Sequence, residues 1–153
     1  MKHYKDTLNN IYAYESDGSQ DAFIKEGLVP ISDEDLAAMI APTTEQLLSQ
    51  LSAARKEQER QGVTINDIRY AGDPGNRQAM QEAIAFMENA SLTEFPTWKD
   101  SDDVFHADHP LADVKDAVRA IGARRSQLIA AEGEYAAQII AGTLTDLTEV
   151  VWP

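Results

Sequence analysis

Apolar residues recur every three or four positions between Pro110 and Gly142, the longest regular pattern in the chain. This spacing places them on one side of an α-helix. The stripe consists of Leu111, Val114, Val118, Ile121, Leu128, Tyr135 and Ile139. We predict a long C-terminal helix over about 110–142. Asp108 is its expected N-cap, Pro110 belongs to the first turn, and Gly142 ends the helix in a left-handed conformation. About 32 residues give a rod of roughly 48 Å, so part of it must overhang a small domain or contact something else.

Two charged residues, Arg125 and Glu132, occupy positions where the apolar stripe would continue. Because unpaired charges are costly to bury, either the helix faces solvent there or both residues meet opposite charges on a neighbour. In one interpretation the stripe drifts along the helix, since 3.6 residues per turn differs from a repeat of 3.5. The drifted positions are Ile129, Ala136 and Ile140. In the other interpretation, the polar residues fix the register of a seam with a partner or a second copy of the chain.

The start of the chain has the alternation and the turn residues of a β-hairpin. Its strands are predicted over 3–6 and 11–14, and Asn9 and Asn10 tolerate the positive φ angles of the turn. A lone hairpin is only marginally stable in water. The hairpin therefore needs a host surface, either on this chain or on a partner.

Two helices are predicted after the hairpin. Residues 23–31 are an apolar cluster without a clear period, which we expect to pack under the hairpin; Ser32 then caps a short helix. A second helix begins at Thr43 and stops at Gly62. Its residues 55–61 include no apolar side chain, which predicts that its last two turns are solvated. This run is either a joint between an N-terminal arm and a C-terminal domain or one exposed helix end.

The rest of the chain alternates short β segments with helices. The predicted elements are β arms at 63–65 and 68–70, a helix over 74–90, a hairpin of 96–99 with 104–107, the long helix, and a short helix from Thr143. The terminal Val150, Val151 and Trp152 are expected to be packed, because such a group is costly to expose. The fold class is α+β, mainly helical with small β-hairpins. We divide the chain into an N-terminal hairpin arm (1–42), a connecting helix (43–62) and a C-terminal α+β domain (63–153).

Composition narrows the classes of function. The formal net charge is −13, from 26 acidic and 13 basic residues, which disfavours nucleic acid and anionic membrane surfaces as partners. The chain contains no cysteine, so disulfides, thiolate nucleophiles and cysteine-ligated zinc are excluded. No apolar stretch reaches the ~18 residues of a membrane span. These features predict a soluble protein in the cytoplasm of the cell that makes it.

One loop contains candidate metal ligands: Asp100, Asp102, Asp103, His106, Asp108 and His109. Leu111 stands where a calcium loop counted from Asp100 would need glutamate, so a solvated turn is favoured over a divalent ion. The two histidines are expected in different elements, one in a strand and one at the start of a helix, which leaves a zinc site incomplete. No nucleophile elbow or glycine-rich phosphate loop occurs. We therefore predict no catalytic residues, no cofactor, no metal and no enzyme activity.

The candidate functional residues are instead those suited to a protein interface. They are Tyr4, Tyr12, Tyr14, Arg125, Tyr135 and Trp152. Tyrosine and tryptophan suit interfaces that leave one end of the side chain wet. The three N-terminal tyrosines are equally compatible with covering a small sheet.

The N-terminal segment resembles that of small bacteriophage tail-fibre assembly proteins. Those proteins open with a "YKD…N.VYAYD" pattern that leads to "GL.P(I/M)S..E" and a proline. The matching residues are Tyr4, Lys5, Asp6, Asn10, Tyr12, Ala13, Tyr14, Gly27, Leu28, Pro30, Ser32 and Pro42.

The segment from about Gln61 to Trp152 is similar to a C-terminal domain of unknown function common in the same class of phage proteins. The similar positions are Gly62 to Tyr70, Trp98, Arg125, Leu128, Thr143, Leu144, Asp146, Leu147 and Trp152. Asn66 and Asp67 replace the glycine that the pattern has in its β turn. These are turn and core positions, and none is catalytic.

The resemblance implies a phage tail protein that assists the folding, trimerisation or attachment of tail fibres by binding a fibre or another tail protein. Such a protein acts in the host cytoplasm during assembly, and homo-oligomers are possible. An alternative is a structural subunit of the virion tail or baseplate, at the fibre attachment region. A metal-dependent enzyme is a distant third.

Overall fold

The computed structural model describes residues 1–153, which form two compact units, Met1–Thr43 and Thr44–Pro153. Four α-helices and three small antiparallel sheets confirm the predicted α+β class with mainly helical content.

The N-terminal unit contains a three-stranded antiparallel sheet. Its strands are β1 (Lys2–Lys5), β2 (Ile11–Tyr14) and β3 (Val29–Ile31), with β1 in the centre. The β1–β2 hairpin confirms the prediction, and Asn9 adopts a φ of 63° in its turn. The third strand corrects the expectation of an irregular cluster at 23–31. The sequence did not predict this strand because proline is unfavourable inside a sheet. Pro30 is tolerated here because β3 is an edge strand.

A helix follows the sheet as predicted. This helix, α1 (Asp33–Ile40), is capped by Ser32, whose side chain accepts a hydrogen bond from the Asp35 backbone N–H. Asp33, Glu34 and Asp35 lie in the first turn, where the helix dipole favours negative charge.

The C-terminal unit is built along one long helix, α4 (Leu111–Ile140). The elements before it are α2 (Thr44–Gln61), β4 (Val63–Ile65), β5 (Ile68–Tyr70), α3 (Pro74–Asn89), β6 (Glu94–Lys99) and β7 (Phe105–Pro110). The strands pair as two antiparallel hairpins, β4 with β5 and β6 with β7. These bounds confirm the predicted β arms and α3, and they extend the predicted second hairpin at its open end.

Two apolar clusters cover the two halves of α4. The first contains Tyr70, Met80, Met87, Phe95, Leu111, Val114, Ala117 and Ile121. The second contains Leu47, Leu51, Ile139 and Leu144. The first half of α4 therefore packs against α3 and the hairpins, and the second half against α2 and the C-terminal segment. Both halves of α4 are thus covered by other elements of the same chain.

The ends of α4 were predicted unequally well. Asp108 is not the N-cap: it lies within β7 with a φ of 50°, and the cap position belongs to Pro110, which makes no side-chain cap bond. The strand instead runs directly into the helix, and the Leu111 N–H bonds to the Thr93 carbonyl at 2.9 Å. At the other end Gly142 has the expected positive φ of 73°. Its N–H donates to the Ile139 carbonyl and that of Thr143 to Gln138, the pattern of a Schellman motif.

The buried side of α4 mostly follows the original stripe. Leu128 and Ile139 are buried, whereas Ile129 and Ile140 are 42% and 71% exposed. The drift interpretation is therefore wrong for Ile129 and Ile140, although Ala136 is half-buried and packs against the second apolar cluster. The alternative in which the charges meet opposite charges on a neighbour is confirmed, and the neighbour is α2 of the same chain.

The last two turns of α2 are solvated only on one side, so the prediction is correct in part: Lys56, Glu57, Arg60 and Gln61 are exposed. Glu59 is only 9% exposed, and its carboxylate pairs with Arg55 one turn earlier and with Arg125 of α4 at 3.3 Å. Arg55 also contacts Glu132, with Nε 2.5 Å from a carboxylate oxygen. One side of a run without apolar residues thus faces α4, because its charges are paired across the two helices.

Two glycines bring the end of α2 against the chain after β5. Gly62 has a φ of 71°, and a Cβ there would lie 1.8 Å from the Tyr70 carbonyl oxygen. A Cβ on Gly72 would lie 2.1 Å from the Glu59 carbonyl oxygen. Only glycine permits this approach. The crossing fixes the end of α2 next to the start of α3.

The end of the chain is packed only in part. A 3-10 helix at Leu147–Glu149 replaces the short helix predicted from Thr143. Val150 and Trp152 pack against the second apolar cluster, but Val151 is 76% exposed. The expected burial of the whole Val-Val-Trp end is therefore wrong for Val151.

Candidate functional site

The three N-terminal tyrosines lie together on one face of the small sheet. Tyr4 and Tyr12 are directly opposite in the β1–β2 register, and Tyr14 is two residues along β2. The rings of Tyr4 and Tyr14 meet edge to face with centroids 5.7 Å apart. The Tyr12 hydroxyl donates to the Asp6 carboxylate at 3.1 Å. All three side chains are half-buried, so this face is a shared aromatic surface with a polar rim.

The opposite face of the sheet carries aliphatic side chains that sequence reasoning did not single out. Ile11 and Val29 flank Lys5 across the strands, and both are exposed. Leu8 in the hairpin turn and Phe23 in the following loop are 81% and 73% exposed. The alternation Ile11-Tyr12-Ala13-Tyr14 was the available signal, because it gives β2 apolar groups on both faces.

The N-terminal unit has no core of its own. None of the residues 1–43 is buried, and the chain has no cysteine to cross-link them. Small domains below ~40 residues usually need disulfides, metals or oligomerisation to be stable, and three strands need a covered hydrophobic face. The fold of this unit therefore depends on strand pairing and half-buried side chains, without a buried core.

A second aromatic surface lies at the C-terminal end of the other unit. The rings of Tyr135 and Trp152 meet edge to face at 6.2 Å. The Tyr135 hydroxyl donates to the Val151 carbonyl and accepts from its N–H, at 3.2 and 3.1 Å, which pins the terminal segment to α4. A shallow depression of about 480 Å³ borders Trp152 and the exposed Val151. Two of the predicted interface residues are thus brought together here.

Arg125 does not join that surface. It lies ten positions before Tyr135 on α4, which is about 15 Å along the helix. Its guanidinium belongs to the ion-pair network around Glu59. The sequence contains the complementary charges, Arg55 and Glu59 on α2 and Arg125 and Glu132 on α4, but neither helix by itself indicates that they are paired.

The aspartates of the β6–β7 turn are engaged by the chain itself. Asp100 accepts hydrogen bonds from the backbone N–H groups of Asp102 and Val104, and His106 Nε2 lies 2.8 Å from its other oxygen. These hydrogen bonds lower the pKa of Asp100. Asp102 pairs with Arg69, and Asp103 with Lys99. No group of three or more histidine, aspartate or glutamate side chains is arranged to hold a metal ion.

The two histidines of this region lie on one strand, which corrects the expectation of a strand and a helix start. Both belong to β7, and their rings are 6.1 Å apart. His109 is 2% exposed and stacks on Trp98, and its Nε2 lies 2.7 Å from the Tyr70 hydroxyl. Burial lowers the pKa of His109 and raises the pKa of Tyr70 to about 12. His109 is therefore a core residue whose neutral form is favoured. The cavity beside Tyr70 measures about 40 Å³, which is room for water.

We expect the stability of the C-terminal unit to fall as the pH decreases through about 6.5, the ordinary pKa of histidine. The folded state lowers the pKa of His109, so below that pH the unfolded chain binds more protons than the folded chain. Urea unfolding followed by tryptophan fluorescence at several pH values measures the effect. His109→Gln should reduce the pH dependence in this window, and His3→Gln should leave it unchanged. Equal slopes in wild type and His109→Gln would contradict the prediction.

Comparison with known proteins places this structure in a family. Residues 42–151, more than two thirds of the chain, match the family described as "Domain of unknown function (DUF4376)". The chain therefore belongs to this family. Neither a curated protein nor a solved structure matches this chain. None of its helices combines the length and the apolar character needed to cross a membrane.

Proposed function

We propose that this protein is a non-enzymatic phage tail protein that assists the folding, trimerisation or attachment of tail fibres by protein–protein binding. The observation that carries the proposal is the N-terminal unit, in which none of 43 residues is buried. The same segment resembles the start of tail-fibre assembly proteins. The partner is accordingly a tail fibre or another phage tail protein, met in the host cytoplasm during assembly.

The N-terminal sheet supplies the main binding surface in this proposal. Its aromatic face offers Tyr4, Tyr12 and Tyr14, and the other face offers Ile11 and Val29. Large rigid aromatic groups beside exposed aliphatic ones are typical of interface centres. Fibre segments that have not yet trimerised expose complementary apolar surface, which this sheet would cover.

The Tyr135–Trp152 surface is the second contact in this proposal. It combines an indole and a phenol ring with the exposed Val151. Arg125 is left out of the binding surface, because its guanidinium is engaged with Glu59.

Co-expression of this protein with the fibre should raise the yield of fibre trimer above that of the fibre expressed alone. Phe23→Ser and Val29→Ser should reduce that gain, because each removes an exposed apolar group from the N-terminal unit; loss of one interface anchor typically weakens binding by about tenfold. Trimer yield on a non-denaturing gel measures the effect.

The matched control is Phe105→Ser, which removes a ring of similar exposure from the C-terminal unit and should leave the gain intact. Fibre that trimerises equally well without this protein would overturn the proposal.

The alternative function is a structural subunit of the virion tail or baseplate at the fibre attachment region. It uses the same surfaces and differs in the fate of the protein. Mass spectrometry of purified virions separates the two, because a fixed copy number indicates a subunit and absence indicates an assembly factor.

A further inference from the structure

Five of the 13 basic residues of this acidic chain line one cleft of the C-terminal unit. The cleft measures about 370 Å³ and opens where the end of α2, the start of α3 and the middle of α4 meet. Its cations are Arg55, Lys56, Arg60, Arg77 and Arg125. The crossing at Gly62 and Gly72 brings the end of α2 against the segment before α3, so the fold fixes the backbone positions from which these cations project.

The two carboxylates of the cleft are already committed. Glu59 is shared among Arg55, Arg77 and Arg125. Asp73 caps α3: one oxygen accepts from the backbone N–H groups of Gly75 and Asn76, and the other from the Asn76 side chain. Glu132 and Glu57 do not line the cleft but pair with Arg55 and Arg60. Five cations against these four carboxylates still leave a positive excess at the cleft, in a chain whose net charge is −13.

The cleft has donors that a ligand could use: one is buried without an acceptor, and others are exposed to solvent. Nη1 of Arg77 is buried without a hydrogen bond, and its distance of 3.8 Å to Glu59 is too long for one. Lys56 is exposed and makes no ion pair. Arg60 reaches only the exposed Glu57, through Nη2. Buried charged donors are normally satisfied, because leaving one unpaired costs free energy.

We propose that this cleft binds an oxyanion of the phosphate or carboxylate class. Guanidinium groups present forked donors that match both anions, and such charge-assisted hydrogen bonds are stronger than neutral ones. The acidic remainder of the surface repels anions, so the binding is local to this cleft. The inference is independent of the proposed role in fibre assembly.

The test is thermal unfolding of the full chain with sodium phosphate, sodium glutarate or sodium chloride at equal ionic strength. We expect phosphate or glutarate to raise the melting temperature above its value in chloride, by roughly 5 °C at ten times the dissociation constant. The more effective of the two identifies phosphate groups or carboxylates as the natural source of the anion. No difference among the three salts would overturn the proposal.

Variants separate binding from the general stabilisation that phosphate gives to proteins. Lys56→Gln and Arg60→Gln should fold normally, because neither side chain is buried, and each should weaken anion binding several-fold. Arg77→Gln should weaken it by about tenfold. The matched control is Arg119→Gln, an exposed arginine of α4 outside the cleft, which should bind as wild type does. An equal temperature shift in all four variants would refute the site.

Discussion

Replacement of Glu59 by glutamine is expected to lower the free energy of unfolding of the C-terminal unit by about 3–5 kcal/mol. Glu59 is 9% exposed and is the shared partner of Arg55, Arg77 and Arg125. Removal of its charge leaves Arg77 and Arg125 without a carboxylate partner in a partly buried site, whereas Arg55 keeps Glu132. Urea unfolding followed by tryptophan fluorescence measures the loss, because Trp98 and Trp152 both lie in this unit.

The neighbouring Glu57→Gln is the control. Glu57 pairs only with Arg60, and both side chains are more than half exposed. Exposed pairs contribute about 0–1 kcal/mol, so this change should lower the free energy of unfolding by no more than about 1 kcal/mol. Similar losses for Glu57→Gln and Glu59→Gln would show that the network is not buried in solution.

Replacement of Gly72 by alanine should destabilise the same unit by more than about 4 kcal/mol or prevent its folding. The added methyl group would lie 2.1 Å from the Glu59 carbonyl oxygen, a backbone atom that cannot move without displacing α2. Circular dichroism and the urea midpoint of the purified variant measure this outcome.

Alanine at Gly122 or Gly133 tests whether the effect is specific to the crossing. Both glycines lie inside α4 with open space where a Cβ would stand. Alanine at either position should stabilise the helix by about 0.5–1 kcal/mol. A Gly72→Ala variant as stable as wild type would contradict the close approach of Gly72 to the Glu59 carbonyl in α2.

The sequence predicted elements whose local chemistry decides their structure. Gly142 ends α4 because a positive φ is needed there, and Ser32 caps α1 because its hydroxyl reaches a free N–H. Asp108 looked equally suitable as a cap, but it lies in a strand that continues into the helix. The pairing of β7 with β6 outweighs the preference of Asp108 for a helix N-cap.

The burial of charged groups was the harder part to predict. Residues 55–61 look solvated when read alone, because nothing within that run reveals Arg125 and Glu132 on the other helix. The two stretches are complementary only when α2 and α4 are placed side by side, which depends on Gly62 and Gly72. Likewise, the clustering of Tyr4, Tyr12 and Tyr14 followed from strand alternation, whereas the third strand did not, because Pro30 argues against a strand.

The coreless state of the first 43 residues has a consequence for the strength of any complex they form. Part of the interaction free energy with any partner must be used to hold the sheet in its ordered form, so affinity per unit of contact area is reduced. Weak affinity shortens the lifetime of a complex, since dissociation rates vary more than association rates. Under the proposed role in fibre assembly, such an arm would favour release of the fibre once it has trimerised.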